Sequence, residues 1–213
     1  MKEDLLRFKY KQKYLIFDYE TCNLNLGLKR NKPWQLGFII AEGKNIIKEG
    51  DYWLDWPNLE VSKGAARVTG FTKNKYDKLK QDPLKALNEF EKYLYDPEYL
   101  IVGQNILGFD VYIHNIHRKL CQKESDYSYI NRIIDTNCIA RAIKMNINLE
   151  TDEDFVLWQY KLLNHRKRGV KTNLKQLCKD YDIEFNDKSL HEAVYDVKKT
   201  HEVLMRMVWE IEI

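Results

Sequence analysis

Lys13-Tyr14-Leu15-Ile16-Phe17-Asp18-Tyr19-Glu20-Thr21 begins as an apolar run and ends in two carboxylates. The aliphatic and aromatic residues of 13–17 predict a buried β-strand. Residues two apart in a strand point to one face, so Asp18 and Glu20 project together, roughly 6–7 Å apart by strand rise, with Tyr19 turned the other way. Two carboxylates aimed into one site are costly without a partner. A divalent cation with hard oxygen ligands, Mg²⁺ or Mn²⁺, would fill that role. The alternative is that the strand ends in solvent and both acids are hydrated.

Working outward, Trp34–Ala41 and Asn45–Leu54 read as two further strands joined by a hairpin at Glu42-Gly43-Lys44. Weak helical patterns occupy 62–80. Asp82-Pro83 opens a stronger helix to about Tyr95, with Asp at the cap and Pro at the first helical position. Tyr99–Gly103 is a short strand, followed by a helix over about 108–122. A strand is expected at 132–135, a helix over 136–145, and another opened by Thr151, Asp152, Glu153 and Asp154. Helices near 173–181 and 190–210 complete the chain. Three strands on short connections, then strand–helix alternation, predict an α/β fold. The expected sheet is mixed and flanked by α-helices.

Two more acids sit where such folds place their sites. In Gly103-Gln104-Asn105-Ile106-Leu107-Gly108-Phe109-Asp110 a strand ends, the chain turns, and Asp110 falls in the first turn of a helix. Its plain alternative is electrostatic stabilisation of that helix N-terminus. In Leu190-His191-Glu192-Ala193-Val194-Tyr195-Asp196, His191 and Asp196 are five apart, about 140° around an ideal helix. They cannot share one face of a straight helix. His191 is therefore expected at or before the first turn, with Asp196 inside the helix.

Together FDYET, NILGFD and HEAVYD resemble the three motifs of the DEDD family of 3′→5′ exonucleases, over about residues 13–208. The histidine five before the last Asp points to the DEDDh branch, similar to replicative proofreading subunits, RNase T and oligoribonuclease. The other branch has Tyr four before that Asp, where this chain has Glu192. Gln35-Leu36-Gly37, Asp135-Thr136 with Ala140-Arg141, and Leu174 with Leu177-Cys178 are further echoes. The sequence departs from the pattern at Gln104, where relatives often carry His, and at Val197, where Ala is common. Val68-Thr69-Gly70 stands in place of a His-Gly pair that contacts the substrate end in many relatives.

The resemblance implies an RNase H-like fold, with a sheet of five strands, three antiparallel and then two parallel, and a catalytic set of Asp18, Glu20, Asp110, His191 and Asp196. The four acids would hold two Mg²⁺ or Mn²⁺ ions, with His191 as general base. It also implies release of nucleoside 5′-monophosphates from a nucleic-acid 3′ end, DNA ahead of RNA. Thr21, Asn105 and Phe109 would shape the pocket of the terminal nucleotide. The basic segment His165-Arg166-Lys167-Arg168-Gly169-Val170-Lys171 would hold backbone phosphates through Arg166, Lys167 and Arg168, unless it is simply a solvated turn. Alternatives are an exoribonuclease, a non-catalytic nucleic-acid-binding module, and a subunit docked on a DNA polymerase.

Bulk properties accommodate this. The chain has 213 residues, 44% hydrophobic, enough for one α/β domain. We read residues 1–12 as an N-terminal extension and 13–213 as the exonuclease domain. Net charge is +3, which permits nucleic-acid binding without arguing for it. Cys22, Cys121, Cys138 and Cys178 are scattered, which argues against a cysteine zinc site or a disulfide framework, and Cys138 and Cys178 read as core. No apolar run reaches membrane-span length and the start lacks a signal-peptide core, so a cytoplasmic protein without a membrane partner is expected. Trp34, Trp53 and Trp56 read as packing residues, with base stacking as the alternative. Asp135, His114, His117 and His201 are expected to be structural.

Overall fold

The computed structural model describes residues 3–23, 31–150, 152–165, 167–187 and 189–213. Strands β1 (Lys13–Thr21), β2 (Pro33–Glu42) and β3 (Asn45–Leu54) form an antiparallel meander. Two short helices follow, α1 (Lys63–Thr69) and α2 (Lys73–Leu79), then β4 (Lys80–Gln81) and α3 (Pro83–Leu94). Next come β5 (Tyr99–Gly103), α4 (Asp110–Leu120), β6 (Ile133–Asp135) and α5 (Thr136–Met145). The chain continues with α6 (Phe155–Asn164), α7 (Leu174–Asp180) and α8 (Ala193–Met207).

The sheet order is β4-β3-β2-β1-β5-β6, with β5 parallel to β1 and β6 parallel to β5. The expected five strands are all present. The sixth, β4, adds two residues parallel to Trp53 and Leu54 at the edge. It is too short for any alternation of apolar residues, so the sequence carries no signal for it. The helix expected from Thr151 starts later, at Phe155, because the Asp154 carboxylate accepts from the Leu157 N–H and caps it there. Thr151 itself lies outside the described residues.

The strand alternation of β1 divides the core. Tyr14 and Ile16 pack with α5, α7 and α8, together with the buried Cys138 and Cys178. Leu15, Phe17 and Tyr19 pack with α3 and α4 on the other face. Asp18 and Glu20 therefore continue the row that faces α8. Trp34 and Trp53 pack with Tyr76, and all three are buried; Trp56 is buried with the α3–α4 layer. Among the described residues no helix is long and apolar enough to cross a membrane.

Candidate active site

The C-terminal ends of β1 and β5 and the start of α8 meet at one place. The Asp110 carboxylate reaches β1 from the first turn of α4, where Oδ1 accepts the Tyr19 N–H at 2.9 Å. The 103–110 turn is held by Asp135, fully buried at the end of β6. Its carboxylate accepts from the Asn105 and Leu107 N–H groups at 3.0 and 3.1 Å and caps α5 through Asn137 and Cys138. Asp135 is thus structural, as expected. His114 (Glu91, Tyr129), His117 (Tyr19, Pro83 carbonyl) and His201 (Gly43 carbonyl) are likewise buried in local hydrogen bonds.

His191 sits ahead of α8, at φ 74°, and its N–H donates to Asp196 Oδ2 at 3.1 Å. Asp196 lies in the first turn of that helix. The bend brings together two residues that a straight helix would separate. Carboxylate and ring atoms of Glu20, His191 and Asp196 lie within 4.8 Å of one another. Asn105, on the neighbouring turn, is also left-handed at φ 62°. Such backbone costs energy and survives where surrounding bonds over-determine it.

The electrostatics are those of a site awaiting positive charge. Desolvation raises the pKa of Asp18, Glu20, Asp110 and Asp196 above the ordinary carboxylate range. Repulsion adds to this: Glu20 from Asp18, Asp196 and Asp110, and both Asp110 and Asp196 from Asp18. Asp196 Oδ1 is buried without a hydrogen-bond partner among the described residues. An orphaned carboxylate oxygen beside three more acids fits hard divalent cations, which oxygen donors of this kind hold. His191 is exposed at its outer side, and partial desolvation of its ring lowers its pKa from the ordinary value.

A cavity of about 440 Å³ opens beside these groups, lined by Asp18, His191 and Asp196 on one side. Asn105, Gln104, Asn137, Arg141, Thr172, Asn173 and Leu174 form the rest of its lining. Apart from Asn105, none of these was assigned to the site from sequence. The available signal was position: Asn137 lies two residues past the end of β6, a strand terminus beside that of β5. Thr21 and Phe109 do not line this cavity. Thr21 is buried with its hydroxyl donating to the Asn23 carbonyl, and Phe109, half-buried just ahead of α4, packs against the α3–α4 core. Lys167 and Arg168 are exposed around the expected turn at Gly169; Arg166 lies outside the described residues.

Gly37 controls how close α8 comes. It pairs with Asp18 across β1 and β2, and a Cβ there would lie 2.6 Å from the Ala193 carbonyl carbon and the Val194 nitrogen. Contact at about 3.5–4.0 Å would require α8 to retreat by roughly 1 Å. Misplacement on that scale can cost about 10²-fold in rate. Gly37→Ala is therefore expected to fold yet lose about 10²-fold in activity, measured per folded molecule. Gly50→Ala, whose Cβ meets the Phe38 and Tyr52 rings, should destabilise the sheet and spare the rate. Equal rate losses in both would show that Gly37 acts only through stability.

The family model described as RNase_T, Exonuclease, matches residues 15–204. No curated protein matches by sequence. Among solved structures, the zinc-bound complex of E. coli ExoI with single-stranded DNA superposes with TM-score 0.70 at 18% identity, covering 92% of this chain and 40% of that one. E. coli exonuclease I with a dT13 oligonucleotide gives 0.72 at 18%, covering 93% and 41%. A complex of ExoI with SSB-Ct gives 0.69 at 18%, covering 94% and 42%. The chain spans about two fifths of the length of these structures, and the likeness shows a shared fold, RNase H-like.

Proposed function

The chain belongs to the RNase T exonuclease family, and on that premise we propose that it removes nucleoside 5′-monophosphates from the 3′ end of single-stranded DNA, as a member of the DEDDh branch. The observation that carries this reading is the meeting of His191 with Glu20 and Asp196 ahead of α8. The oligonucleotide complexes of the structural neighbours favour single-stranded DNA as substrate.

Asp18, Glu20, Asp110 and Asp196 would hold two Mg²⁺ or Mn²⁺ ions. Such ions supply Lewis-acid polarisation of the phosphodiester and a lowered pKa for water. The protein's own part is orientation and proton transfer. Tyr19 N–H fixes Asp110, and His191 N–H fixes Asp196. His191, with its depressed pKa, is neutral at pH 7 and can accept the proton of the attacking water. Thr21, Asn105 and Phe109 would bound the terminal nucleotide, and Arg166, Lys167 and Arg168 would hold phosphates further back.

The test uses end-labelled single-stranded DNA, duplex DNA and RNA with Mg²⁺. Stepwise shortening of the DNA strand from a free 3′-hydroxyl is expected. A 3′-phosphate should slow it and a 5′ block should not. Preference for duplex ends would point to a proofreading partner of a polymerase, and preference for RNA to an exoribonuclease. Efficient cutting of circular single strands would refute the exonuclease reading.

A further inference from the structure

Besides Asp18, His191 and Asp196, the cavity is lined by four side-chain amides with Arg141, Thr172 and Leu174, and the hydrogen bonds of the amides fix their orientation. The Gln104 Nε2 donates to the Thr172 carbonyl at 2.6 Å, which orients its Oε1 toward the Thr136 hydroxyl, also at 2.6 Å. The Asn173 Oδ1 accepts the Gln176 N–H at 3.0 Å, which turns its Nδ2 outward from that bond. The Asn105 Oδ1 accepts from Asn137 Nδ2 at 3.1 Å, and the Asn137 Oδ1 accepts from the Thr172 hydroxyl. Every side-chain amide oxygen in the wall is thus engaged. Asn105 Nδ2 and Asn173 Nδ2 make no bond among the described residues. Arg141 uses Nη1 on the Leu162 and Leu163 carbonyls, and its Nε and Nη2 make no bond among the described residues. What remains unbonded in this lining, among the described residues, is a set of N–H groups on Asn105, Asn173 and Arg141, the last carrying a positive charge.

Unbonded N–H donors beside a guanidinium suit an anionic acceptor, and one phosphodiester step along a bound strand supplies one. We propose that Gln104, Asn137, Arg141 and Asn173 form a subsite for the phosphodiester next to the scissile one on its 5′ side, with Asn105 at its border with the terminal-nucleotide pocket. The proposal rests on the nuclease reading above. Asp18, His191 and Asp196 line the same cavity, so the scissile group and this wall share one space. Thr21 and Phe109 do not line this cavity, and Asn105, which does, would stand between it and the terminal-nucleotide pocket. Among the described residues the lining holds no Phe, Tyr or Trp, so the second nucleotide would be gripped by its backbone and not by its base. The basic turn at 167–171 leads directly into Thr172 and Asn173, which continues positive charge along the strand's exit.

The experiment compares a short DNA strand with one carrying a single neutral methylphosphonate between the second and third nucleotides from the 3′ end. For the first cleavage, wild-type kcat/KM should fall by about 10- to 100-fold, the range for losing charge-assisted hydrogen bonds. Asn173→Ser keeps a capping oxygen for α7 but removes the amide donor; Arg141→Gln removes the charge. Each should shrink the ratio between the two substrates toward one. A ratio near one in the wild type, or an unchanged ratio in both variants, overturns the subsite. So does an equal fall when the methylphosphonate lies several linkages further back, since that marks diffuse attraction. A wild type that shortens no strand in Mg²⁺ overturns the nuclease reading itself, a result separate from any ratio.

Discussion

Asp18→Asn, Glu20→Gln, Asp110→Asn and Asp196→Asn should each lower 3′-end cleavage by about 10³-fold or more, the scale of several kcal/mol of lost charge stabilisation. EDTA should do the same to the wild type, and Mg²⁺ or Mn²⁺ should reverse it. The fold should survive. Asn at 110 still offers an oxygen to the Tyr19 N–H, and Asn at 196 still offers one to the His191 N–H. In EDTA these variants should melt no lower than the wild type, because each removes one member of a desolvated, mutually repelling set. The pH dependence has a definite sign. These carboxyls hold their protons to higher pH when folded than when unfolded, so the metal-free folded state binds more protons. Stability without metal should fall as pH rises from the ordinary carboxylate range, about 4, through the folded values of about 7 for Asp18 and about 8 for Asp196. Divalent ions compete with those protons, so the melting shift they produce should be larger at pH 8 than at pH 6. Full activity in EDTA, or a metal shift independent of pH, would contradict the assignment.

His191→Ala should lose about 10²–10⁴-fold in kcat, the contribution of a positioned general base, while the metal-induced melting shift persists. The ring is the only group removed. Its backbone N–H, which orients Asp196, stays. Wild-type activity should fall on the acid side as the ring protonates, with a midpoint below the ordinary histidine value because partial desolvation lowers its pKa. That limb should be missing in the variant. A variant that keeps both the limb and near-normal turnover would leave His191 as a bystander. A variant that also loses the metal shift would make the ring a ligand.

Much of the site was legible because short-range rules govern it. Period-two alternation in Tyr14–Glu20 placed Asp18 and Glu20 on one face and Tyr19 on the other, and the helical period forbade His191 and Asp196 from sharing one. Asp154 was less legible: four consecutive polar residues from Thr151 to Asp154 could each have opened α6, and only the backbone geometry selects which carboxylate receives the Leu157 N–H. The edge strand β4 was invisible because two residues show no period.

Local sequence pattern, then, determined the strand order along the chain, the helices, the motif acids and the bend that His191 needs. Tertiary structure alone decided which side chains share a cavity. Asn137, Arg141 and Asn173 come from α5 and from the cap of α7, separated by tens of residues, and nothing in their spacing reports their meeting with Asp18. The same holds for Gly37, whose missing Cβ matters only because the backbone of α8 crosses above it. Periodicity encodes which face a residue takes on its own element. The approach of two elements depends on packing across the whole core, which no local window contains.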